Sequence, residues 1–157
     1  HNHTTAALAV ALLEASQPEF KDYAQAIVVN AQALANALLE EGFGVVSGGS
    51  DNHLVLFDAT PRGITGKPLA VAMNHAGLVA NYNNIPFDPR PPMDPSGIRV
   101  GTAAVTSRGF GPAEMRQIAQ WIGQAASQAD NASALEGIAR EVRDLCLQHP
   151  APGIRIS

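Results

Sequence analysis

Apolar positions alternate between helical and strand periods along the chain. Leu8, Leu12 and Leu13 follow Thr4 and Thr5 at helical spacing, which predicts a first helix capped by one of the threonines. Ser16-Gln17-Pro18-Glu19 has the form of a capping box with proline in the first turn. It opens a longer expected helix through Tyr23, Ile27, Ala31, Leu34 and Leu38 that stops near Gly42. The many alanines of this helix permit close packing against another helix or subunit. "FGVVSGG" and "HLVLFDA" then read as two strands across the turn-rich "SGGSDN". Thr65 caps an expected helix running to about Ala76 and ended by Gly77, and "LVANYN" reads as a third strand. The four prolines from Pro86 to Pro92 forbid a helix and predict an ordered, extended loop. A β-branched run bounded by Gly97 and Gly101 reads as a short strand near a core. Gly111-Pro112-Ala113-Glu114 starts a helix with Met115, Ile118, Ala119 and Ile122 on one face. A last helix carries Leu135, Ile138, Val142 and Leu145. The order is helix, helix, strand, strand, helix, strand, strand, helix, helix. It predicts an α+β fold with helices packed on a mostly antiparallel sheet.

Composition narrows the class. The chain has 157 residues, 46% hydrophobic and 15% charged, enough for one domain with a real core. A formal net charge of −4 offers no field for nucleic acid and no polybasic membrane signal. Cys146 is the only cysteine, which excludes an internal disulfide and a cysteine-rich metal site. "AALAVALLEA" is shorter than the ~20 residues a bilayer requires and lacks the basic flank of a secretory signal. A reduced, cytoplasmic protein with neither nucleic-acid nor membrane partners is expected. The chain opens on His1 rather than Met and enters a helix pattern almost at once, which predicts a processed chain or a piece of a longer one.

Few residues look chemical. No pair of histidines has metal-site spacing on a predicted helix, so no metal is expected. Ser47-Gly48-Gly49-Ser50 does not open a helix, and Lys67 in "GITGKPLA" has no Ser or Thr after it, so neither makes a phosphate cradle. Asp51-Asn52-His53 precedes a strand and reads as a turn built on side-chain to backbone hydrogen bonds. Asn81, Asn83 and Asn84 stand at a strand end, where asparagines make turns or present donors and acceptors to a heterocycle edge. Arg99 sits between Ile98 and Val100 among small and apolar side chains. Its planar fork suits a carboxylate or phosphate, and the neighbouring glycines leave room for one.

Several stretches together resemble serine hydroxymethyltransferase: "HNHTTAALAVAL", "VVSGGSDNHLVLFD", "GITGK", "NYNNIPFDPRPPM" and "SGIRVGTAAVTSRGFG". They fall in the family's order, cover nearly the whole chain and match only the C-terminal portion of that enzyme. The resemblance implies a small C-terminal domain of a fold-type I pyridoxal-phosphate enzyme at residues 43–157. The helices of residues 1–42 would link it to a large cofactor domain. It further implies pyridoxal 5'-phosphate as cofactor, glycine or serine as substrate, tetrahydrofolate as co-substrate and a homodimer or dimer of dimers. Arg99 is similar to the family arginine that holds the α-carboxylate, and Asn83 to the asparagine that contacts the pterin. Asp51, Asn52 and His53 match a signature expected to be structural, and Arg108 in "SRGFG" is expected to support the site from behind. The family's Schiff-base lysine lies upstream of these residues. Neither Lys21 nor Lys67 has its context, so the chain by itself is expected to be inactive. Ala103 stands where the family usually has proline, and Asp94-Pro95 replaces a commoner Val/Phe-Thr. Two other classes remain open on the residues alone: a non-catalytic binding domain, and a pyridoxal-phosphate aldolase acting on β-hydroxy amino acids. The asparagine cluster argues against the aldolase.

Overall fold

Two long helices lead the chain. In the computed structural model, which describes residues 1–154, they are α1 (Asn2–Ala15) and α2 (Pro18–Glu40). Then follow β1 (Gly44–Val45), β2 (Leu54–Asp58), α3 (Gly66–His75), β3 (Asn81–Asn83), β4 (Gly97–Gly101), α4 (Ala103–Ser107), α5 (Pro112–Ser127) and α6 (Ala132–Gln148). The strands form one antiparallel sheet in the order β1-β2-β4-β3, as an α+β fold requires.

The helices cover one face of this sheet. Val45, Val55, Phe57 and Ile98 point into a core shared with Leu34 and Leu38 of α2, Leu69 and Met73 of α3, Met115 and Ile122 of α5, and Leu135 and Ile138 of α6. Only the second half of α2 is buried, and α1 buries nothing: Leu8, Leu12 and Leu13 are all exposed. Asn30 is the main polar group in the core. Its amide donates to Thr106 Oγ1 and to the Phe110 carbonyl, both at 2.9 Å, tying α2 to α4 and to the approach of α5. Arg62 closes the far end of α2, where its guanidinium meets the Glu41 carbonyl and donates to the Gly123 carbonyl at 3.1 Å.

Several local expectations change. The first helix starts at Asn2 with no side-chain cap, so neither Thr4 nor Thr5 serves. The capping box at Ser16–Glu19 does not form, because Gln17 is the cap residue and the Ser16 hydroxyl donates back to the Leu13 carbonyl at 2.7 Å. Thr65 precedes α3, but its hydroxyl donates to Asp94 Oδ1 at 2.8 Å instead of serving the helix. The expected strand in "FGVVSGG" lasts only through Val45. The chain then turns in a 3-10 helix with Ser47 at φ 60, a left-handed conformation that ends strand pairing. "LVANYN" pairs only over Asn81–Asn83. α4 was absent from the expected order: a one-turn helix of five residues carries too short a period to register.

Candidate functional site

The open face of the sheet is where the candidate residues meet. Residues of a strand alternate between faces, so burying Ile98 sends Arg99 to the other side. The strand between Gly97 and Gly101 does border the core, through Ile98, while the Arg99 side chain is exposed on the opposite face. Arg99 stands opposite Leu56 on β2 and Asn81 on β3, with Gly97 and Gly101 two residues to either side. Asn83 pairs with Gly97 and is therefore diagonal to Arg99 on the same face, at roughly 7–8 Å between backbones. Asp58 shares that face, but its Oδ1 accepts from the Thr60 amide and hydroxyl, each at 2.8 Å. Among the described residues no hydrogen bond or ion pair engages the Arg99 guanidinium.

Gly97 makes this arrangement possible. A Cβ on it would sit 2.7 Å from the Asn83 carbonyl and from Ile85 Cγ2, and 3.3 Å from the Phe57 carbonyl. Gly66 does the same one layer away, where a Cβ would come within 2.3 Å of the Gly97 carbonyl. The start of α3 is therefore pressed against the start of β4, and the Gly66 amide donates to the Pro95 carbonyl at 2.8 Å.

The loop between β3 and β4 is built on one carboxylate. Asp88 accepts from the amides of Ile85 (3.2 Å), Arg90 (3.0 Å) and Ser96 (2.9 Å), from the Ser96 hydroxyl (2.7 Å) and from Asn84 Nδ2 (3.1 Å). Desolvation raises its pKa, but the hydrogen bonds from Ser96, Arg90 and Ile85 outweigh that and hold the carboxyl well below the usual carboxylate range. Arg90 also pairs with Asp94 and donates from Nε to the Asp94 carbonyl at 3.0 Å. The Arg90 hydrogen bond first, then that from Thr65, lowers the Asp94 carboxyl in turn. The loop is thus a series of pinned turns rather than an extended segment, and Asp94 is one of its pins. The sequence signal was present in the spacing of Asp88, Arg90 and Asp94, which places opposite charges within one loop, but a proline-rich composition masked it.

The other candidates have structural partners. Asn52 Oδ1 accepts the Leu54 amide at 2.8 Å, Asn52 Nδ2 reaches Asp51 Oδ1 at 3.4 Å, and the Ser50 hydroxyl donates to the Leu54 carbonyl at 2.6 Å. The His53 carbonyl accepts the Thr102 amide at 3.0 Å, and the Thr102 hydroxyl donates to the Ile27 carbonyl at 2.9 Å. Asp51-Asn52-His53 is thus an exposed turn that launches β2 and is tied through Thr102 to α2. Arg108 donates from Nε to the His149 carbonyl (2.7 Å) and from Nη2 to the Cys146 carbonyl (2.8 Å), so it closes the end of α6. A cavity of about 320 Å³ lies in the same region, between α3, α5 and α6, lined by Met73, Trp121, Val142 and Cys146; neither Arg99 nor Asn83 borders it. Among the described residues no group of three His, Cys, Asp or Glu could hold a metal, and no helix is long and apolar enough to cross a membrane.

Comparison with known proteins gives a consistent result. A family model described as serine hydroxymethyltransferase matches residues 1–122. A serine hydroxymethyltransferase of Sorangium cellulosum is 58% identical over 156 residues, 99% of this chain and 37% of the relative. One from Acidothermus cellulolyticus is 59% identical over 160 residues, covering 98% of this chain and 38% of the relative. One from Acidobacterium capsulatum is 50% identical over 151 residues, 96% of this chain and 35% of the relative. The chain therefore spans little more than a third of the length of the curated relatives it matches.

Proposed function

The chain belongs to the serine hydroxymethyltransferase family, and from that premise we propose that it forms the C-terminal, substrate-facing part of an enzyme that interconverts serine and glycine and passes the one-carbon unit to tetrahydrofolate. The observation that carries this reading is the pairing of β3 with β4: it sets Arg99 and Asn83 on one open face, diagonal to each other. Two ligands that must exchange a one-carbon group have to lie side by side, and this spacing suits an amino acid held by one residue and a pterin by the other.

In this reading Arg99 binds the α-carboxylate through two parallel N–H donors and fixes the orientation of the substrate's α-carbon. Orientation is worth much of the barrier in such chemistry, and small displacements are costly. Asn83 offers an amide donor and a carbonyl acceptor to the pterin edge. The Asp51–His53 turn and Thr102 position the strands, and Arg108 secures α6 behind them.

Pyridoxal 5'-phosphate supplies the electron sink that makes the α-carbon reactive. The residues of this chain do not fit it as holders. Lys21 lies in the exposed half of α2 and Lys67 is exposed at the start of α3 near Asp94, so neither stands on the Arg99 face of the sheet. The cofactor then belongs to a large fold-type I domain in the remaining length of the family's proteins. Residues 1–42 link to that domain, and residues 43–157 form the small domain of a cytoplasmic homodimer. α2 suits the linking role, since its second half is anchored in the core while its first half is held only at its inner edge, by the Tyr23 hydroxyl on the Ala103 carbonyl and the Thr102 hydroxyl on the Ile27 carbonyl.

The test is Arg99→Lys in the full-length enzyme, followed by spectral titration with glycine. Lysine keeps the charge and loses the fork. Glycine affinity should fall roughly ten- to a hundredfold, part of the ~2–5 kcal/mol that a desolvated charge pair is worth when broken. Cofactor occupancy should hold. Wild-type glycine affinity with collapsed cofactor occupancy would make Arg99 a cofactor residue and sink the reading.

A further inference from the structure

The cavity of about 320 Å³ between α3, α5 and α6 has no part in the candidate site, and its walls have a chemistry of their own. It reaches into the core, since Met73, Met115, Trp121 and Ile122 line it and are all buried. Its rim opens to solvent at Val79, which is 87% exposed. Val100 lines it too, so one wall is the helix-covered side of β4, the strand whose other side carries Arg99.

The polar side chains of the wall are already satisfied. Trp121 Nε1 donates to Glu141 Oε2 at 2.7 Å, and the Thr102 hydroxyl donates to the Ile27 carbonyl at 2.9 Å. Arg108 is the one charged residue among those that line the cavity. Its Nε and Nη2 are taken by the His149 and Cys146 carbonyls at the C-terminal end of α6, where the helix dipole also answers its charge. Among the described residues no buried side-chain nitrogen or oxygen lacks a partner. A buried water needs about two to four polar partners, and a carboxylate needs a free donor; the side chains of this wall hold out none. Left empty, the void forfeits the contacts its lining side chains make with a filled centre.

We propose that this cavity binds a neutral, apolar molecule the size of a substituted or fused aromatic ring. An apolar cavity of ~150 Å³ takes benzene, and this one has roughly twice that volume. Two thioethers, an indole and the Cys146 thiol in the wall suit an aromatic guest, because sulfur and ring edges pack favourably on a π face. The walls set the polarity of the guest by what they lack: a charged or strongly polar ligand would be buried there without partners. The ligand lies behind β4 and Arg99 in front of it, so the two sites are separate. The inference therefore stands apart from the reading of Arg99 as the carboxylate residue.

Propylbenzene is the probe, and phenylpropionate, a similar ring carrying a carboxylate, is its charged counterpart. Both are titrated by NMR into the full-length enzyme with methyl-labelled methionine, the Met73 and Met115 signals being assigned through Met73→Leu and Met115→Leu. Propylbenzene should shift both methyl signals saturably, and saturating glycine should not displace it. Phenylpropionate should bind on the order of tenfold more weakly, because its carboxylate finds no free donor. Cys146→Phe on α6 and Val105→Phe on α4 fill the cavity from two different walls, so that one variant serves if the other fails to fold. Each should weaken propylbenzene on the order of tenfold. Methyl signals that stay in place up to the solubility limit of propylbenzene would overturn the proposal. So would displacement by glycine, equal binding of phenylpropionate, or undiminished affinity in a folded, filled variant.

Discussion

Replacing Gly97 with alanine probes the joint between β3 and β4 on which the candidate site depends. The added methyl would sit 2.7 Å from the Asn83 carbonyl, 2.7 Å from Ile85 Cγ2 and 3.3 Å from the Phe57 carbonyl. Ile85 can rotate its methyl away, but the two carbonyls are backbone. Reaching an ordinary 3.4 Å contact from 2.7 Å means Asn83 must retreat by about 0.7 Å, which stretches the pairing of an edge strand only three residues long. Overpacking of this kind costs about 1–3 kcal/mol. With a urea slope of ~1–3 kcal/mol/M, the unfolding midpoint should drop by roughly 1 M. Trp121 is the only tryptophan and is buried, so its fluorescence reports the transition. Gly137 supplies the control, since nothing lies within 4 Å of a Cβ built there in the middle of α6. Gly137→Ala should therefore raise stability by about 0.5–1 kcal/mol. The two alanines should move the midpoint in opposite directions. If Gly97→Ala unfolds at the parent's midpoint, or if both variants shift the same way, the close approach of Asn83 to Gly97 is not a real constraint and the spacing of the site falls with it.

Two further outcomes follow from the fold. Deleting residues 1–16 should leave the unfolding midpoint unmoved, because α1 buries nothing, while reducing self-association and binding of a hydrophobic dye; a large stability loss would show that α1 packs on this chain after all. Asp94 and Glu114 have carboxyls held below their ordinary values, Asp94 by Arg90 and Thr65, Glu114 chiefly by the Gly111 amide at 2.7 Å. Lowered folded-state values mean stability is fully present above the unfolded pKa and is lost as pH falls from ~5 through ~4 and below. Glu114→Gln should flatten part of that acid limb in pH-dependent unfolding, and an unchanged limb would refute the role of the Gly111 contact.

Much of the site was legible in residues that act through their own chemistry. Arg99 stood out because a guanidinium between two β-branched neighbours needs an explanation, and the asparagine cluster because amides at a strand end have donors and acceptors to spend. Period-3.6 runs located α2, α3, α5 and α6, since an amphipathic helix writes its buried face into the chain. The same holds for Gly42 and Gly77, whose positive φ ends α2 and α3. Other features depend on partners far along the chain. Which face Arg99 occupies is decided by Ile98 packing on the helices, and its distance from Asn83 by the register of β3 on β4; local sequence contains neither quantity. Asp94 is held within its loop by Arg90, but its second partner, Thr65, arrives beside it from the start of α3. The Ser16–Glu19 pattern offered a cap that the backbone did not take, because hydrogen bonds closing α1 claimed the serine first. Local propensity thus determined where the helices run and which side chains are candidates for chemistry. Long-range pairing alone decided which of those side chains share a face.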